Sequence, residues 1–276
     1  MLNKQGNMQN FLGCNASYEE AKFVIFGVPF DSTTSNRPGA RFGPSAMRLE
    51  SYGLETYSPY LDRDLEDISV YDAGDLEPPF GCPEPMLEAV QSVTAEILKD
   101  GKIPVMIGGE HLVTLGAVRA AVAAHPNLHI IHFDAHADLR DDYLGESLSH
   151  ATVMRRCMEL GVDDKIYQYG IRSGTRDEFK LLKTLGETPI APNAPIYLTL
   201  DLDVLDPSVM PGTGTTEAGG LNFAQLLELF MGLALDKLNV VGFDIVELAP
   251  NYDPSGISVA TACKILRELL LTIGRN

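Results

Sequence analysis

The chain has 276 residues, 45% of them hydrophobic, enough for a sizeable core, and a formal net charge of −17. An acidic balance with no Lys/Arg cluster lacks the basic face of a nucleic-acid binder and suits small cations and metals. No apolar run approaches the roughly 18–20 residues needed to cross a bilayer. The polar segment 1–10 lacks the apolar stretch of a signal peptide. A cytoplasmic protein, without nucleic-acid or membrane partners, is expected.

Along the chain, short apolar, β-branched runs predict strands at 23–27, 68–72, 103–107, 128–133, 165–170, 196–200 and 240–243. Helical patterns predict helices at 83–99, 112–124, 149–159, 177–185, 222–235 and 257–272. The Gly- and Pro-rich stretch 27–44 reads as a tight loop leading into a helix at Pro44. Alternating strands and helices predict an α/β fold, a mostly parallel sheet with helices on both faces. No linker or internal repeat interrupts the pattern, so one domain, 1–276, is expected. Cys14, Cys82, Cys157 and Cys263 are widely spaced and form no CxxC pair, which reads as isolated thiols.

Open parallel sheets hold ligands beyond the carboxyl ends of their strands. After the predicted strands come Gly108-Gly109-Glu110-His111, then Asp134-Ala135-His136-Ala137-Asp138, then Asp201-Leu202-Asp203, then Asp244 and Glu247. If the chain stays extended past Phe133, Asp134, His136 and Asp138 all face one point, and Asp201 and Asp203 repeat the spacing. The glycine pair lets the backbone bend sharply before His111. Any one Asp in such a place is ordinarily a cap or turn residue. The two runs together, each directly after an apolar strand, point instead to a metal site. Four carboxylates at one sheet edge repel strongly unless divalent cations lie between them, and two such ions cancel their formal charge. An oxygen-rich set of four carboxylates and two imidazoles favours Mn²⁺ over Zn²⁺. Such paired ions sit about 3.5–4 Å apart and activate water for attack on an electrophilic carbon. No Gly-Lys-Ser/Thr follows the glycine pair, so it is not a phosphate loop. His125, near a helix end, and His129 and His132, within a strand, are read as local packing or hydrogen-bonding residues.

These motifs are familiar as a set. Gly108-Gly109-Glu110-His111, Phe133-Asp134-Ala135-His136-Ala137-Asp138, Ser149-His150, the run from Asp201 to Pro207, Pro211-Gly212-Thr213-Gly214-Thr215 and Gly219-Gly220-Leu221 together resemble the ureohydrolase family of arginases and agmatinases. The resemblance implies a three-layer α/β/α sandwich, two Mn²⁺ ions and a small cationic guanidino substrate. By position it implies that His111, Asp134, Asp138 and Asp201 hold one manganese, and that Asp134, His136, Asp201 and Asp203 hold the other. Asp138 would also orient the attacking hydroxide, His150 would carry protons, and Glu247 would pair with the guanidinium. A homo-trimer or homo-hexamer is implied. Two departures stand out: Ala151 where many relatives carry Gly, and Thr215 where Pro is common.

Segment 27–44 looks like the agmatinase branch, although a structural loop packed under the site explains it equally well. The loop 139–146 holds three acids, Asp141, Asp142 and Glu146, and one Arg, Arg140. If those acids face the cleft, they repel a substrate carboxylate and welcome an amine, which favours agmatine over arginine. Arg140 leaves guanidinobutyrate open. Rival readings are a formiminoglutamate hydrolase with the same ligands, a one-metal zinc deacetylase, and a silent metal-binding assembly protein. The complete two-metal set argues against the last two.

Overall fold

The computed structural model describes residues 2–5, 9–77, 79 and 81–275; parts of segment 1–10 therefore lie outside the described residues. Among the described residues nine strands form, in chain order: β1 (Phe23–Gly27), β2 (Tyr57–Ser58), β3 (Arg63–Asp64), β4 (Val70–Asp75), β5 (Ile103–Ile107), β6 (His129–Phe133), β7 (Ile166–Tyr169), β8 (Pro195–Asp201) and β9 (Asn239–Val246). The α-helices are α1 (Gly43–Ser51), α2 (Pro83–Lys99), α3 (Thr114–Ala124), α4 (Val153–Cys157), α5 (Arg176–Leu181), α6 (Phe223–Gly232) and α7 (Ile257–Ile273).

Seven strands form one sheet in the order β4-β1-β5-β9-β8-β6-β7, every pairing parallel. Successive strand residues point to opposite faces. Here both faces are apolar and both are buried, as parallel sheets require. Phe23, Ile25, Ile107, Phe133, Leu198 and Phe243 pack with residues of α1, α6 and α7. Val24, Phe26, Met106, Ile130 and Tyr197 pack with residues of α2, α3 and α4. The result is the expected α/β/α sandwich. Arg48 of α1 ties that helix to β4 through two bonds to Asp72, 2.8 and 2.9 Å, and a contact with Asp75. No helix among the described residues is long and apolar enough to cross a membrane. All four cysteines are free.

Several expected boundaries moved. β9 runs three residues past the predicted end, so Asp244 lies inside a buried strand rather than beyond it. Its carboxylate is satisfied there by Tyr197 and Thr199 hydroxyls at 2.8 and 2.6 Å. The predicted 149–159 helix opens with a 3-10 turn at His150–Thr152 capped by Ser149, and α4 then loosens into a π-turn ending near Gly161. The β2–β3 hairpin is too short to leave a periodic signal, and only the structure reveals it.

The four central strands, β5, β9, β8 and β6, are the ones whose carboxyl ends carry His111, Glu247, Asp201 and Asp134. Adjacent parallel strands thus deliver all four groups to one edge, the crevice such sheets use for ligands.

Candidate metal centre

β5 ends at Ile107, and two glycines lead to His111. Neither glycine adopts a left-handed backbone. The chain bends at Gly109 and Glu110, as expected, and the missing side chain also permits a close approach: a Cβ on Gly109 would lie 1.8 Å from the Phe30 carbonyl oxygen. The run after β6 does not stay extended. His136 bridges to Ser173, and Asp138 sits at φ 54°. Glu247, the first residue after β9, also takes a left-handed conformation, at φ 67°. Non-glycine residues avoid this region, and such strain concentrates at functional sites. In both cases it turns an acid back toward the sheet edge.

The groups converge tightly. His111 Nδ1 lies 3.0 Å from Asp134 Oδ2, 3.2 Å from Asp201 Oδ2 and 3.4 Å from Asp138 Oδ2. His136 Nδ1 lies 2.9 Å from Asp203 Oδ2 and 3.5 Å from Asp134 Oδ1. Asp134 therefore stands between the two imidazoles. Asp203 and Asp201 are locked together by the Asp203 N–H donating to Asp201 Oδ1 at 2.8 Å.

This geometry suits cations better than protons. His111 Nδ1 is buried and, despite its short separations from three acids, makes no aligned hydrogen bond. Its other nitrogen, Nε2, lies 3.0 Å from the Thr199 hydroxyl, whose proton goes to Asp244. Burial opposes a charged His111 ring, yet Asp134 and Asp201 raise its pKa well above normal when only protons are present; in the neutral ring the Thr199 oxygen accepts from Nε2–H, which leaves the Nδ1 lone pair aimed at three carboxylate oxygens. That arrangement is repulsive until a positive charge lies between them. His111, Asp134, His136, Asp138, Asp201 and Asp203 thus fit a divalent-cation site in both charge and donor type.

The protonation tendencies agree. Burial, then the charge of Asp134, pushes the Asp138 carboxyl well above its ordinary value. Burial, then Asp203 and Asp134, does the same to Asp201. Burial and Asp134 also raise Asp203. Burial works against ionisation of Asp134 too, but the imidazoles of His111, His132 and His136 around it outweigh burial and hold its pKa well below normal. Burial opposes a charged His136, yet Asp134 and Asp203 lift its pKa to about 12. Without a cation, protons on the imidazoles take over its electrostatic role.

His132 is the nearby group that sequence reasoning left out of the site. Its Nε2 donates to Asp134 Oδ2 at 2.9 Å. The Gln168 amide nitrogen donates to its Nδ1 at 2.7 Å and to the Ala137 carbonyl at 2.8 Å. Both ring nitrogens are engaged, so His132 orients Asp134; its ring also stands within 4.8 Å of ligand atoms of His111, Asp134 and Asp138, a grouping that could hold a cation and that the expected local role did not include. His129 instead meets the Tyr167 hydroxyl at 3.0 Å, and His125 closes α3.

A cavity of about 250 Å³ opens onto this cluster. His111, His136, Asp138, Asp201 and Glu247 line its floor, while His150, Ser35, Tyr143 and Thr215 belong to its walls. Glu247 Oε1 accepts the His111 N–H at 2.7 Å. Burial, then the charges of Asp201 and Glu110, pushes its carboxyl well above its usual value. His150 Nδ1 lies 3.1 Å from the Thr33 carbonyl and Nε2 lies 3.2 Å from Ser35 Oγ. A carbonyl only accepts, so Nδ1 carries the proton and the Nε2 lone pair receives the Ser35 hydroxyl. Burial lowers the His150 pKa to about 4, which keeps the ring neutral at pH 7.

The Arginase family model matches residues 21–193 and 187–272, nearly the whole chain. The chain belongs to the arginase family. It is 46% identical over 275 residues to the agmatinase of Halalkalibacterium halodurans, covering 95% of each chain. It is 36% identical to human mitochondrial guanidino acid hydrolase, covering 95% of this chain and 81% of the other. The crystal structure of agmatine ureohydrolase from Thermoplasma volcanium superposes with a TM-score of 0.85 at 33% identity, covering 97% of this chain and 95% of that one.

Within this arginase-family site, the expected role of the 139–146 acids is not met. That loop contributes Arg140 and Tyr143 to the cavity wall, but not Asp141, Asp142 or Glu146. Asp141 turns outward to Arg156 at 3.0 Å, and Asp142 accepts the Gly145 N–H at 3.2 Å. Arg140 stacks over the Tyr143 ring, 4.6 Å from its centroid, with Nε 3.7 Å from Glu178. Segment 27–44 reaches the site directly, since Thr33 and Ser35 hold His150. Thr215 does more than relax its loop: its hydroxyl donates to Asp203 Oδ2 at 3.3 Å.

Proposed function

We propose that this chain is a binuclear manganese ureohydrolase that converts agmatine and water to putrescine and urea. The observation that carries the reading is the cavity that joins Glu247 to the acid–imidazole cluster in a chain 46% identical to an agmatinase. His111, Asp134, Asp138 and Asp201 would hold one ion. Asp134, His136, Asp201 and Asp203 would hold the other. The oxygen-rich donor set favours manganese. The whole chain acts as one ureohydrolase domain, cytoplasmic and assembled as a homo-trimer or homo-hexamer.

Bound cations would supply an activated water and stabilise developing negative charge at the reacting carbon. The protein's own groups do the rest. Glu247 accepts paired charge-assisted hydrogen bonds from the guanidinium and orients its central carbon. The substrate's positive charge relieves the burial and like-charge penalty that raises the Glu247 pKa. Asp138 accepts a hydrogen bond from the attacking water and aims its oxygen at that carbon. As the C–O bond forms and the C–N bond to the alkylamine breaks, the leaving nitrogen needs a proton. The attacking water gives up a proton as its oxygen bonds to carbon, and His150 accepts that proton at Nε2 and passes it to the leaving nitrogen, from a ring held in place by Thr33. Urea and the free amine leave.

His150→Asn keeps a donor for the Thr33 carbonyl but removes the Nε2 base. It is expected to bind two cations normally while kcat falls roughly 10²–10⁴-fold, the usual range for one acid–base group. Metal analysis and steady-state kinetics on one preparation check this; an unchanged kcat removes His150 from proton transfer.

Arg140 in the cavity wall favours one second reading, a guanidino acid such as guanidinobutyrate, whose carboxylate it would receive. Assay of agmatine, arginine, guanidinobutyrate and formiminoglutamate, with co-products identified, separates the readings. Urea with putrescine, at a kcat/KM above the other three, is expected. Preference for guanidinobutyrate would assign Arg140 to the substrate and set aside agmatine.

A further inference from the structure

Arg172 has no part in the chemistry above, yet it joins the two acid runs of the site. Its main chain is tied to the first run: Arg172 N–H and Ser173 N–H both donate to the Ala135 carbonyl, at 2.8 and 2.9 Å, between Asp134 and His136. Its side chain is tied to the second. Nη2 donates to the carbonyls of Asp203 at 2.7 Å, Glu217 at 2.8 Å and Leu205 at 3.3 Å. Nη1 reaches the carbonyls of Val204 and Gly170, each at 3.2 Å, and Nε that of Ala218 at 3.2 Å. Every donor nitrogen of the guanidinium is thus spent on main-chain carbonyls, six in all, from three separate segments.

Each of these segments presents something to the same half of the centre. The Asp203 carbonyl belongs to the acid facing His136. Glu217 bonds to Ser173 Oγ at 2.8 Å and lies 3.9 Å from His136 Nε2. Gly170 packs so closely that an added Cβ would lie 2.9 Å from the Asp134 carbonyl oxygen. The other half is held differently, by Thr199 and Glu247 around His111. A planar, five-donor cation suits such a cage of carbonyls; a lysine, with one compact charge and three donors, cannot span it.

We propose that Arg172 is a positioning residue for the His136–Asp203 half of the metal centre, fixing that half relative to Asp134 and Asp201. The proposal rests on the two-cation reading above. Its signature is selective: losing the clamp weakens one cation subsite and spares the other.

The test is equilibrium dialysis of wild-type and Arg172→Lys protein against graded free Mn²⁺, with bound metal counted per chain. Wild type is expected to take up two ions. R172K is expected to bind its first ion within about twofold of wild type and its second roughly 10–100-fold more weakly, the usual effect of removing support behind a ligand. Gly220→Ala is the second variant, in case R172K does not yield folded protein. Its Cβ would sit 2.5 Å from Asp206 N, 2.6 Å from Arg172 Nη2 and 2.6 Å from the Leu205 carbonyl carbon, so the guanidinium and the 205–206 main chain must move apart without the guanidinium being deleted. The same selective weakening is expected. Two unchanged affinities in the folded variant, or equal weakening of both, overturn the clamp while leaving the two-cation site intact. Wild-type protein that binds no divalent cation overturns the site reading and the clamp together.

Discussion

Asp134→Asn is expected to cut kcat by more than about 10³-fold and to leave the protein short of metal. The scale exceeds the 10²–10³-fold cost of losing a single oxyanion stabiliser, because this change removes the charge shared by both halves of the centre. Asp134 Oδ2 faces His111 Nδ1 at 3.0 Å and His132 Nε2 at 2.9 Å, while Oδ1 takes the His136 N–H at 2.5 Å. Asparagine preserves the shape but supplies only one acceptor oxygen and no charge. One imidazole then meets an amide N–H instead of an acceptor, or an uncompensated neighbour. Metal counting beside steady-state kinetics checks this. Wild-type turnover with two bound ions in the variant would defeat the bridging position.

Glu247→Gln is expected to act on substrate and leave metal alone. The amide oxygen can still accept the His111 N–H that Glu247 Oε1 receives at 2.7 Å, so His111 stays in place. What is lost is the charge opposite the guanidinium. Removing one partner of a buried, hydrogen-bonded charge pair costs about 2–5 kcal/mol. This corresponds to roughly a 30- to 5000-fold fall in kcat/KM. Much of the change should appear in KM, with two cations retained. A variant that loses metal but keeps its KM would place Glu247 in the metal centre and not against the substrate.

The sequence revealed the delivery of these groups more clearly than their final aim. Apolar runs of five or so residues, each followed by acids or imidazoles, located the sheet edge because strand ends and buried parallel strands leave a strong local signal. Alternation over 134–138 suggested an extended chain, but Asp138 and Glu247 reach the site through left-handed backbone that no spacing rule foretells. The period-2 pattern of β9 stops being informative at Asp244, whose buried carboxylate depends on Tyr197 and Thr199 from the neighbouring strand. Arg172 escaped because most of its guanidinium partners lie 31–46 residues away, whereas His132 was read as a local residue and its contact with Asp134, two residues on, shows only in the fold. The acids of loop 139–146 show the converse error. Composition suggested a repulsive cleft wall, yet Asp141 and Asp142 find partners outside it and Glu146 does not line the cavity.

Catalysis by this arginase-family chain is expected to need a cation pair held by the six-residue cluster. To test this, the protein is stripped with a chelator, Mn²⁺ is returned in sub-stoichiometric steps, and urea release from agmatine is followed at each step. Stripped protein is expected to show no turnover, and activity is expected to recover fully as two equivalents bind. Undiminished urea release from protein shown to be metal-free would contradict it.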